Sequence, residues 1–256
     1  FSATRVFGVY EDLLGNEWIL SDNGLGMLTA GQTTPTSYFV DAAEREKKGG
    51  QAFYSCLEYN SEIYFGSDNG RVWCYQKENG QFQLQNLPAS SRIVSINSVE
   101  GNELIFTTAK DGFFSYQPKT KAIEHFPASR FPNASIHSVY VDKASEVWFE
   151  QHIPGAVVHF NPRTRILKQE KVPVEPTSTD RSRPAFHIHE DINGVLWVHP
   201  YGGGFSYFDR KSNSLHPFYN SLSGSDWRFS NKIHAAFSDR QGDLWMCTPV
   251  SYTHLR

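Results

Sequence analysis

The pattern of apolar and polar positions repeats along this chain at intervals of 41 to 49 residues. In the clearest copies an apolar segment leads into an Asp-x-x-Gly turn, and a second apolar segment carrying Trp follows. The Asp, Gly and Trp of these copies are Asp12, Gly15 and Trp18, then Asp191, Gly194 and Trp197, then Asp239, Gly242 and Trp245. A repeat of this period indicates an array of similar small units.

Weaker copies fill the middle of the chain, with Tyr64, Ile105 and Trp148 at the position of the Trp. The six anchor positions are therefore 18, 64, 105, 148, 197 and 245. A glycine follows most anchors after six or seven residues, and a polar turn follows after twelve or thirteen. Three landmarks that keep their register over several copies are hard to obtain by chance.

Each unit is predicted to contain four short strands. Asp is favoured at the first position of a four-residue turn and Gly at the last, so the segments on either side become strands. A third strand is predicted at 204–208, and a fourth at 215–218 after the polar turn 209–214. Four antiparallel strands in about 45 residues form one β-propeller blade. The predicted fold class is an all-β propeller, with five to six blades of an expected seven in this chain, and each Trp is expected between neighbouring blades.

The boundaries of the repeat give the domain prediction. Residues 1–249 are predicted to be a β-propeller fragment, whereas residues 250–256 match nothing in the repeat and are expected to be a non-native or unrelated tail. No third strand is expected after Thr248. Two irregular stretches, 32–52 and 172–184, are predicted as surface connections, with 42–48 forming either a short helix or a loop.

Composition narrows the function classes. A net charge of −3 with mixed signs argues against contact with nucleic acid. No apolar run approaches 18 residues, so no membrane span is predicted among these 256 residues. Cys56 and Cys74 fall on the first and third strands of one predicted blade, roughly 9–10 Å apart, which is too far for a disulfide. Free, buried thiols are therefore expected, and no cofactor is predicted.

The turn after each anchor strand is the predicted ligand-binding position, because propellers bind through loops at one end of a central channel. The candidates are Asp22, Asn23, Asp68, Asn69, His152, His199 and Tyr201. Together these side chains suit a sugar, since they offer hydrogen bonds to hydroxyl groups and a ring for stacking. Asp and Asn are also common turn residues, whereas turn geometry does not demand the His and Tyr side chains.

The histidines and acids of the repeat allow either a functional or a structural role. His187 and His189 face one side of a predicted strand near Glu190, so they allow either a metal site or packing beside a neighbouring blade, and packing is favoured. Acids such as Asp12 and Asp191 recur at one place in the repeat, which marks them as turn-formers. Because no nucleophile elbow, phosphate loop or Cys-x-x-Cys pair occurs, no catalytic residue is predicted.

The best copy resembles the two-component regulator propeller repeat. The resemblance is carried by the Glu-Asp-x-x-Gly-x-Leu-Trp phrase at 190–197, the segment Gly-Gly-Gly-Phe-Ser-Tyr-Phe-Asp at 202–209 and residues 228–234. It covers about residues 5–249 and is strongest at 186–248. The copies at 58–64 and 99–105 depart from it, because they lack the Trp and the full turn.

The resemblance implies the periplasmic sensor region of a bacterial hybrid two-component system. Such sensors have two propellers, a small β-sandwich, one membrane span, then a histidine kinase, a receiver and a DNA-binding domain. It further implies a ligand-sensing domain without catalytic activity that responds to carbohydrate-derived signals. The implied partners are an oligosaccharide, the remaining blades and second propeller of the same chain, and a second receptor copy in a homodimer. The alternatives are a propeller polysaccharide lyase or glycoside hydrolase, and a protein-binding scaffold.

Overall fold

A computed structural model describes residues 3–40, 51–132, 135–151, 157–170, 186–200, 206–217, 235–247 and 252–255. The predicted loop at 172–184 and the candidate helix at 42–48 lie outside these residues. The chain divides into two compact units, residues 1–128 and 129–256. The described part contains no helix with the length and apolarity needed to cross a membrane.

The first unit contains three antiparallel sheets, each of four strands in chain order. Blade 1 consists of β1 Val6–Glu11, β2 Glu17–Ser21, β3 Gly24–Leu28 and β4 Thr36–Tyr38. Blade 2 consists of β5 Phe53–Tyr59, β6 Glu62–Ser67, β7 Val72–Gln76 and β8 Gln81–Gln85. Blade 3 consists of β9 Ile93–Val99, β10 Glu103–Thr108, β11 Phe113–Gln117 and β12 Ala122–Phe126, and a 3-10 turn follows at Ala128–Arg130.

The second unit continues the same plan. Blade 4 consists of β13 Ile136–Val141, β14 Val147–Gln151, β15 Val157–Asn161 and β16 Ile166–Glu170. Blade 5 consists of β17 Phe186–Glu190, β18 Leu196–Pro200, β19 Ser206–Asp209 and β20 Ser214–Pro217. The described strands of the sixth sheet are β21 Ala235–Ser238, β22 Leu244–Cys247 and β23 Tyr252–Leu255. These four-stranded antiparallel sheets are the blades of a β-propeller, and the predicted fold class is confirmed.

Two strands lie where the repeat pattern predicted none. Strand β23 pairs antiparallel with β22, in the place of a third strand after Thr248. Strand β4 lies within the stretch 32–52 that was predicted as a connection, and it pairs with β3. Both were missed because neither carries the landmarks of the other copies. Backbone pairing at a sheet edge does not depend on those landmarks.

All six anchors lie on the second strand of their sheet, and Trp18, Tyr64, Ile105 and Trp148 are fully buried. The Trp18 ring lies 4.9 Å from the ring of Phe65 in blade 2. The Trp148 ring lies 4.9 Å from the ring of Phe208 in blade 5. The predicted location between blades is therefore confirmed for these two tryptophans. Burial of each such side chain contributes roughly 2–3 kcal/mol.

The Asp of the repeat holds the Trp as well as the turn. In blade 4 the Asp142 carboxylate accepts hydrogen bonds from the backbone N–H groups of Ala144 at 2.8 Å and Glu146 at 2.9 Å. It also accepts one from the indole Nε1 of Trp148 at 2.8 Å. The same indole bond joins Trp18 to Asp12 at 3.1 Å, Trp197 to Asp191 at 2.9 Å and Trp245 to Asp239 at 2.8 Å. The sequence predicted the turn but not this bond.

Blade 2 replaces this pair with a different polar link. Glu58 stands six residues before the anchor Tyr64, where the copies of blades 1, 4 and 5 and of the sixth sheet have Asp. Its carboxylate accepts a hydrogen bond from the backbone N–H of Leu13 in blade 1 at 2.9 Å and forms an ion pair with Lys77. A weak copy of the repeat therefore still connects its blade to the preceding one.

The cysteines are free thiols, as predicted. Cys74 is buried as expected, whereas Cys56 and Cys247 are half-buried, so the prediction of buried thiols is wrong for these two. Burial raises the pKa of Cys56 and that of Cys74 to about 12. Both thiols therefore stay protonated at neutral pH, which suits a structural role.

Candidate functional site

In blades 1, 2 and 3 the turn between the second and third strands lies next to the start of the first strand. In blades 1, 2 and 3 a backbone N–H of this turn donates to the carbonyl of the residue that precedes the first strand. The pairs are Asp22 with Arg5 at 3.1 Å, Asp68 with Ala52 at 3.0 Å and Ala109 with Arg92 at 2.8 Å. In each of these three blades the turn residues and the beginning of the first strand therefore form one surface.

The turn of blade 1 uses its polar side chains internally. The Asp22 carboxylate accepts hydrogen bonds from the Thr4 hydroxyl and from the Thr4 backbone N–H, the latter at 3.0 Å. These bonds, the hydroxyl first, hold the pKa of Asp22 below its usual range. Asn23 is buried, and its backbone N–H donates to the Ser21 hydroxyl at 3.0 Å. Of the two ligand-binding residues predicted in this blade, Asp22 is therefore occupied by Thr4 and Asn23 is buried.

The turn of blade 2 leaves one carboxylate oxygen available. Asp68 Oδ1 is buried, and none of the described residues donates a hydrogen bond to it. Gln51 occupies the position that Thr4 has in blade 1, so the hydroxyl that serves Asp22 has no counterpart here. Burial raises the pKa of Asp68. The neighbouring Asn69 is exposed, and its Oδ1 accepts a bond from the Ser67 hydroxyl at 2.7 Å.

A row of side chains at the same end was missed by the sequence analysis. The pairing of β1 with β2 shifts register at Phe7, and that of β5 with β6 shifts at Tyr54, so both residues sit at β-bulges. Their rings stack with centroids 4.3 Å apart. The guanidinium of Arg92, at the start of blade 3, lies 4.9 Å from the Tyr54 ring centroid. We call these three residues the Phe7–Tyr54–Arg92 row.

The row escaped prediction because a bulge breaks the two-residue alternation that identifies inward and outward positions. The available signal was spacing, since Phe7 and Tyr54 lie eleven and ten residues before the anchors Trp18 and Tyr64. Phe7 is 37% exposed, and Arg92 is exposed. The first three blades thus contribute aromatic rings, the guanidinium of Arg92 and, at Asp68, a hydrogen-bond acceptor.

His199, another predicted contact, lies in the interior of blade 5. It is 1% exposed, and its ring centroid lies 5.2 Å from that of His187 and 6.5 Å from that of His189. This burial favours a role inside the blade over contact with a ligand. No group of three or more potential ligands among the described residues could hold a metal ion. The predicted contacts His152 and Tyr201 lie outside the described residues.

The burial of His199 predicts a pH-dependent stability. Burial, followed by the neighbouring His187 and His189, lowers the pKa of His199 to about 3. The unfolded chain gains a proton at this residue as pH falls below roughly 6.5, whereas the folded chain does not. We therefore expect His199→Gln to remove about 2 kcal/mol of the stability loss between pH 7 and pH 5. Urea unfolding of His199→Gln and of the unchanged protein at pH 7 and pH 5 measures this difference.

His159 supplies the control of opposite sign. It lies between Glu146 at 3.2 Å and Glu170 at 2.8 Å, and it is stacked on Trp148. Burial acts to lower its pKa, but hydrogen bonds to the two carboxylates outweigh burial and raise it. Its contribution to stability is present at low pH and is lost as pH rises through the raised pKa, so His159→Gln should steepen the loss on acidification. Equal pH profiles for His199→Gln and the unchanged protein would contradict the prediction.

Comparison with known proteins identifies the fold. No family model and no curated protein matches the chain. Solved structures do: the extracellular domain of a hybrid two-component system from B. thetaiotaomicron matches with a TM-score of 0.53 and 18% identity over 99% of this chain and 38% of that one. A second such domain from the same organism matches with a TM-score of 0.55 and 14% identity over 96% of this chain and 39% of that one.

An enzyme shares the same fold. Virginiamycin B lyase from Staphylococcus aureus matches with a TM-score of 0.63 and 17% identity over 96% of this chain and 78% of that one. In all, 1074 chains match, so the fold by itself does not select one function. The resemblance to extracellular domains of hybrid two-component systems agrees with that of the repeat, and this chain spans 38% and 39% of the length of those two neighbours.

Proposed function

We propose that this chain is a ligand-sensing extracytoplasmic propeller of a hybrid two-component sensor, and that it recognises a carbohydrate-derived ligand. The observation that carries the proposal is the Phe7–Tyr54–Arg92 row, next to the unpartnered oxygen of Asp68. The two features are adjacent, because the Asp68 N–H bonds the carbonyl of Ala52, two residues before Tyr54.

The chemistry of these groups suits a sugar. The C–H face of a sugar ring packs on an aromatic ring, and the half-exposed Phe7 ring offers such a surface. Asp68 Oδ1 accepts a hydrogen bond from a hydroxyl group, which removes the cost of a buried oxygen without a partner. A ligand hydroxyl also accepts a hydrogen bond from the exposed Arg92 guanidinium.

The acids at this end favour sensing over glycoside cleavage. Asp22 is saturated by Thr4, and Asp111 in blade 3 accepts bonds from Ser90 and Ser91. Glycoside hydrolysis generally needs a pair of carboxyl groups on either side of the bond. Among the described Asp and Glu residues, Asp68 alone has a buried carboxylate oxygen without a hydrogen-bond donor.

The remaining parts of the proposal concern the whole receptor. We place this domain in the periplasm, as the input part of an inner-membrane histidine kinase. Its partners are the remaining blades and the second propeller of the same chain, and a second receptor copy in a homodimer. These statements rest on the resemblance of the repeat and on the extracellular neighbours. A membrane span and a kinase encoded downstream of these residues are the expected finding.

The ligand site is tested by replacing Tyr54. A panel of oligosaccharides from complex polysaccharides is titrated calorimetrically into the receptor's extracytoplasmic region, and the best binder is kept. Phe7 and Arg92, the two side chains proposed to contact the sugar, both pack against the Tyr54 ring. Tyr54→Ala removes that support and is expected to weaken the Kd of this ligand about tenfold, or about 1.4 kcal/mol. Tyr59→Ala is the control, because Tyr59 lies on the same strand at the opposite end and is also half-buried.

Two results would count against the proposal. Equal losses of affinity in Tyr54→Ala and Tyr59→Ala would remove the row from the site. Turnover of a polysaccharide by the unchanged protein, lost in Asp68→Asn, would establish the alternative of a propeller enzyme.

A further inference from the structure

A cavity of about 310 Å³ opens between the outer strands of blades 2 and 3, within the first unit. It is lined by residues 83–86, at the end of β8, and by Tyr116, Lys121 and Ile123 from blade 3. The Phe7–Tyr54–Arg92 row belongs to the first strands and the residues before them, whereas this cavity belongs to the third and fourth strands. The two are therefore separate surfaces.

The floor of the cavity is a buried polar pair. Tyr116 is 1% exposed, and its hydroxyl donates to Gln85 Oε1 at 2.6 Å. Gln85 is 7% exposed, and its amide nitrogen reaches the carbonyl of Gln83 at 3.4 Å, near the limit for a hydrogen bond. An amide carries two N–H donors, so this group keeps donor capacity toward the cavity. Gln83 and Asn86 add exposed amides at the rim.

The ammonium group of Lys121 lies beside this polar pair. Lys121 lies in the turn between β11 and β12, and its Nζ is 5.8 Å from the ring centroid of Tyr116. Burial acts to lower its pKa, but the interaction with Tyr116 and the charge of Glu62 raise it, so the ammonium is charged at neutral pH. None of the lining residues carries a carboxylate, and all of them are described. Lys121 is therefore the one charged residue of the lining, and the Glu62 carboxylate is near enough to raise its pKa.

We propose that this cavity, which we call the outer cleft, binds a sugar acid: a hydroxyl-rich ligand with one carboxylate. The amides of Gln83, Gln85 and Asn86 pair with hydroxyl groups, and Lys121 pairs with the carboxylate. Leu84 and Ile123, each 37% exposed, border the cleft with aliphatic surface for the C–H groups of a ring. The volume lies at the lower end of the roughly 300–1,000 Å³ that is typical of small-molecule pockets.

The test compares D-glucuronate with D-glucose, which has the same ring without the carboxylate. Each is titrated into ¹⁵N-labelled protein at low ionic strength, and side-chain amide signals are followed by NMR. Glucuronate is expected to shift the amide signals of Gln85 and Gln83 and to bind about fivefold more tightly than glucose. Lys121→Gln is expected to abolish this difference. Lys119→Gln, in the same turn but outside the lining, should preserve it.

Several outcomes would overturn the proposal. The proposal fails if glucuronate shifts only the NMR signals of residues near the Phe7–Tyr54–Arg92 row. It also fails if the unchanged protein binds glucuronate and glucose with equal affinity. An equal loss in Lys119→Gln and Lys121→Gln would show attraction to the general surface charge. Binding at the outer cleft should persist in Tyr54→Ala, so failure of the outer cleft and failure of the first-strand site are observed separately.

Discussion

Asp142→Ala is expected to lower the free energy of unfolding by about 3 kcal/mol, because it removes the acceptor of a buried indole N–H and of two turn N–H groups. Asp142 is 4% exposed, and its carboxylate also receives the Arg210 guanidinium at 3.0 Å. A buried donor left without a partner loses the full energy of its hydration. Equilibrium unfolding in urea, followed by tryptophan fluorescence, measures the change.

Two controls separate the bond from the turn. In Trp148→Phe the indole donor is lost but the turn bonds of Asp142 remain, so a double-mutant cycle between the two positions isolates the hydrogen bond. Asp239→Ala makes the same change in the sixth sheet, where Asp239 and Trp245 are only half-buried, and a smaller loss is expected there. Equal losses at Asp142 and Asp239 would show that burial of the pair contributes nothing.

Gly112→Ala is expected to destabilise the protein by about 3 kcal/mol or to prevent folding of blade 3. Gly112 has a φ of +85°, and a Cβ there would lie 2.1 Å from the carbonyl oxygen of Phe126. The neighbouring atoms belong to the backbone that leaves β12, so they cannot rotate away as a flexible side chain could. The cost combines about 1–2 kcal/mol for a side chain at positive φ with the displacement of that backbone.

Gly101→Ala is the matched control within the same blade. Gly101 has a φ of +86°, but a Cβ there would meet no atom within 4 Å. Only the conformational cost of about 1–2 kcal/mol is expected at this position. The difference between the thermal unfolding midpoints of Gly112→Ala and Gly101→Ala therefore measures the cost of the clash at Gly112. Equal midpoints for the two variants would contradict this prediction.

The repeat separates the residues that build the blades from those available for binding. Asp142 and Trp148 occupy positions that recur, and their bonds are internal to the blade. At Asp68 one carboxylate oxygen has no hydrogen-bond donor. At Gln85 the amide nitrogen makes one long bond, to Gln83, which leaves it a second N–H to donate. The two proposed binding sites therefore lie where a copy departs from the repeat.

Some features of the site could be predicted and others could not. The location of the turns after the anchor strands followed from spacing, and Asp68 was among the candidates it produced. The sequence could not distinguish Asp68 from Asp22. Thr4 donates to the Asp22 carboxylate, whereas Gln51, at the same position in blade 2, makes no bond to Asp68 Oδ1. His199 was predicted as a contact by its residue type, whereas neighbouring strands bury it.

The sequence by itself determined the strands that carry the repeat's landmarks, the Asp-x-x-Gly turns and the blade as the repeating unit. These are local properties, because turn preference and the period of apolar residues act over a few neighbouring positions. Tertiary structure decided the stacking of Phe7 on Tyr54, the outer cleft beside Gln85 and the orphaned oxygen of Asp68. The first two depend on the register and packing of strands from different copies, which are distant in the chain and leave no fixed spacing in the sequence. The third depends on which side chain from the start of the blade reaches the turn.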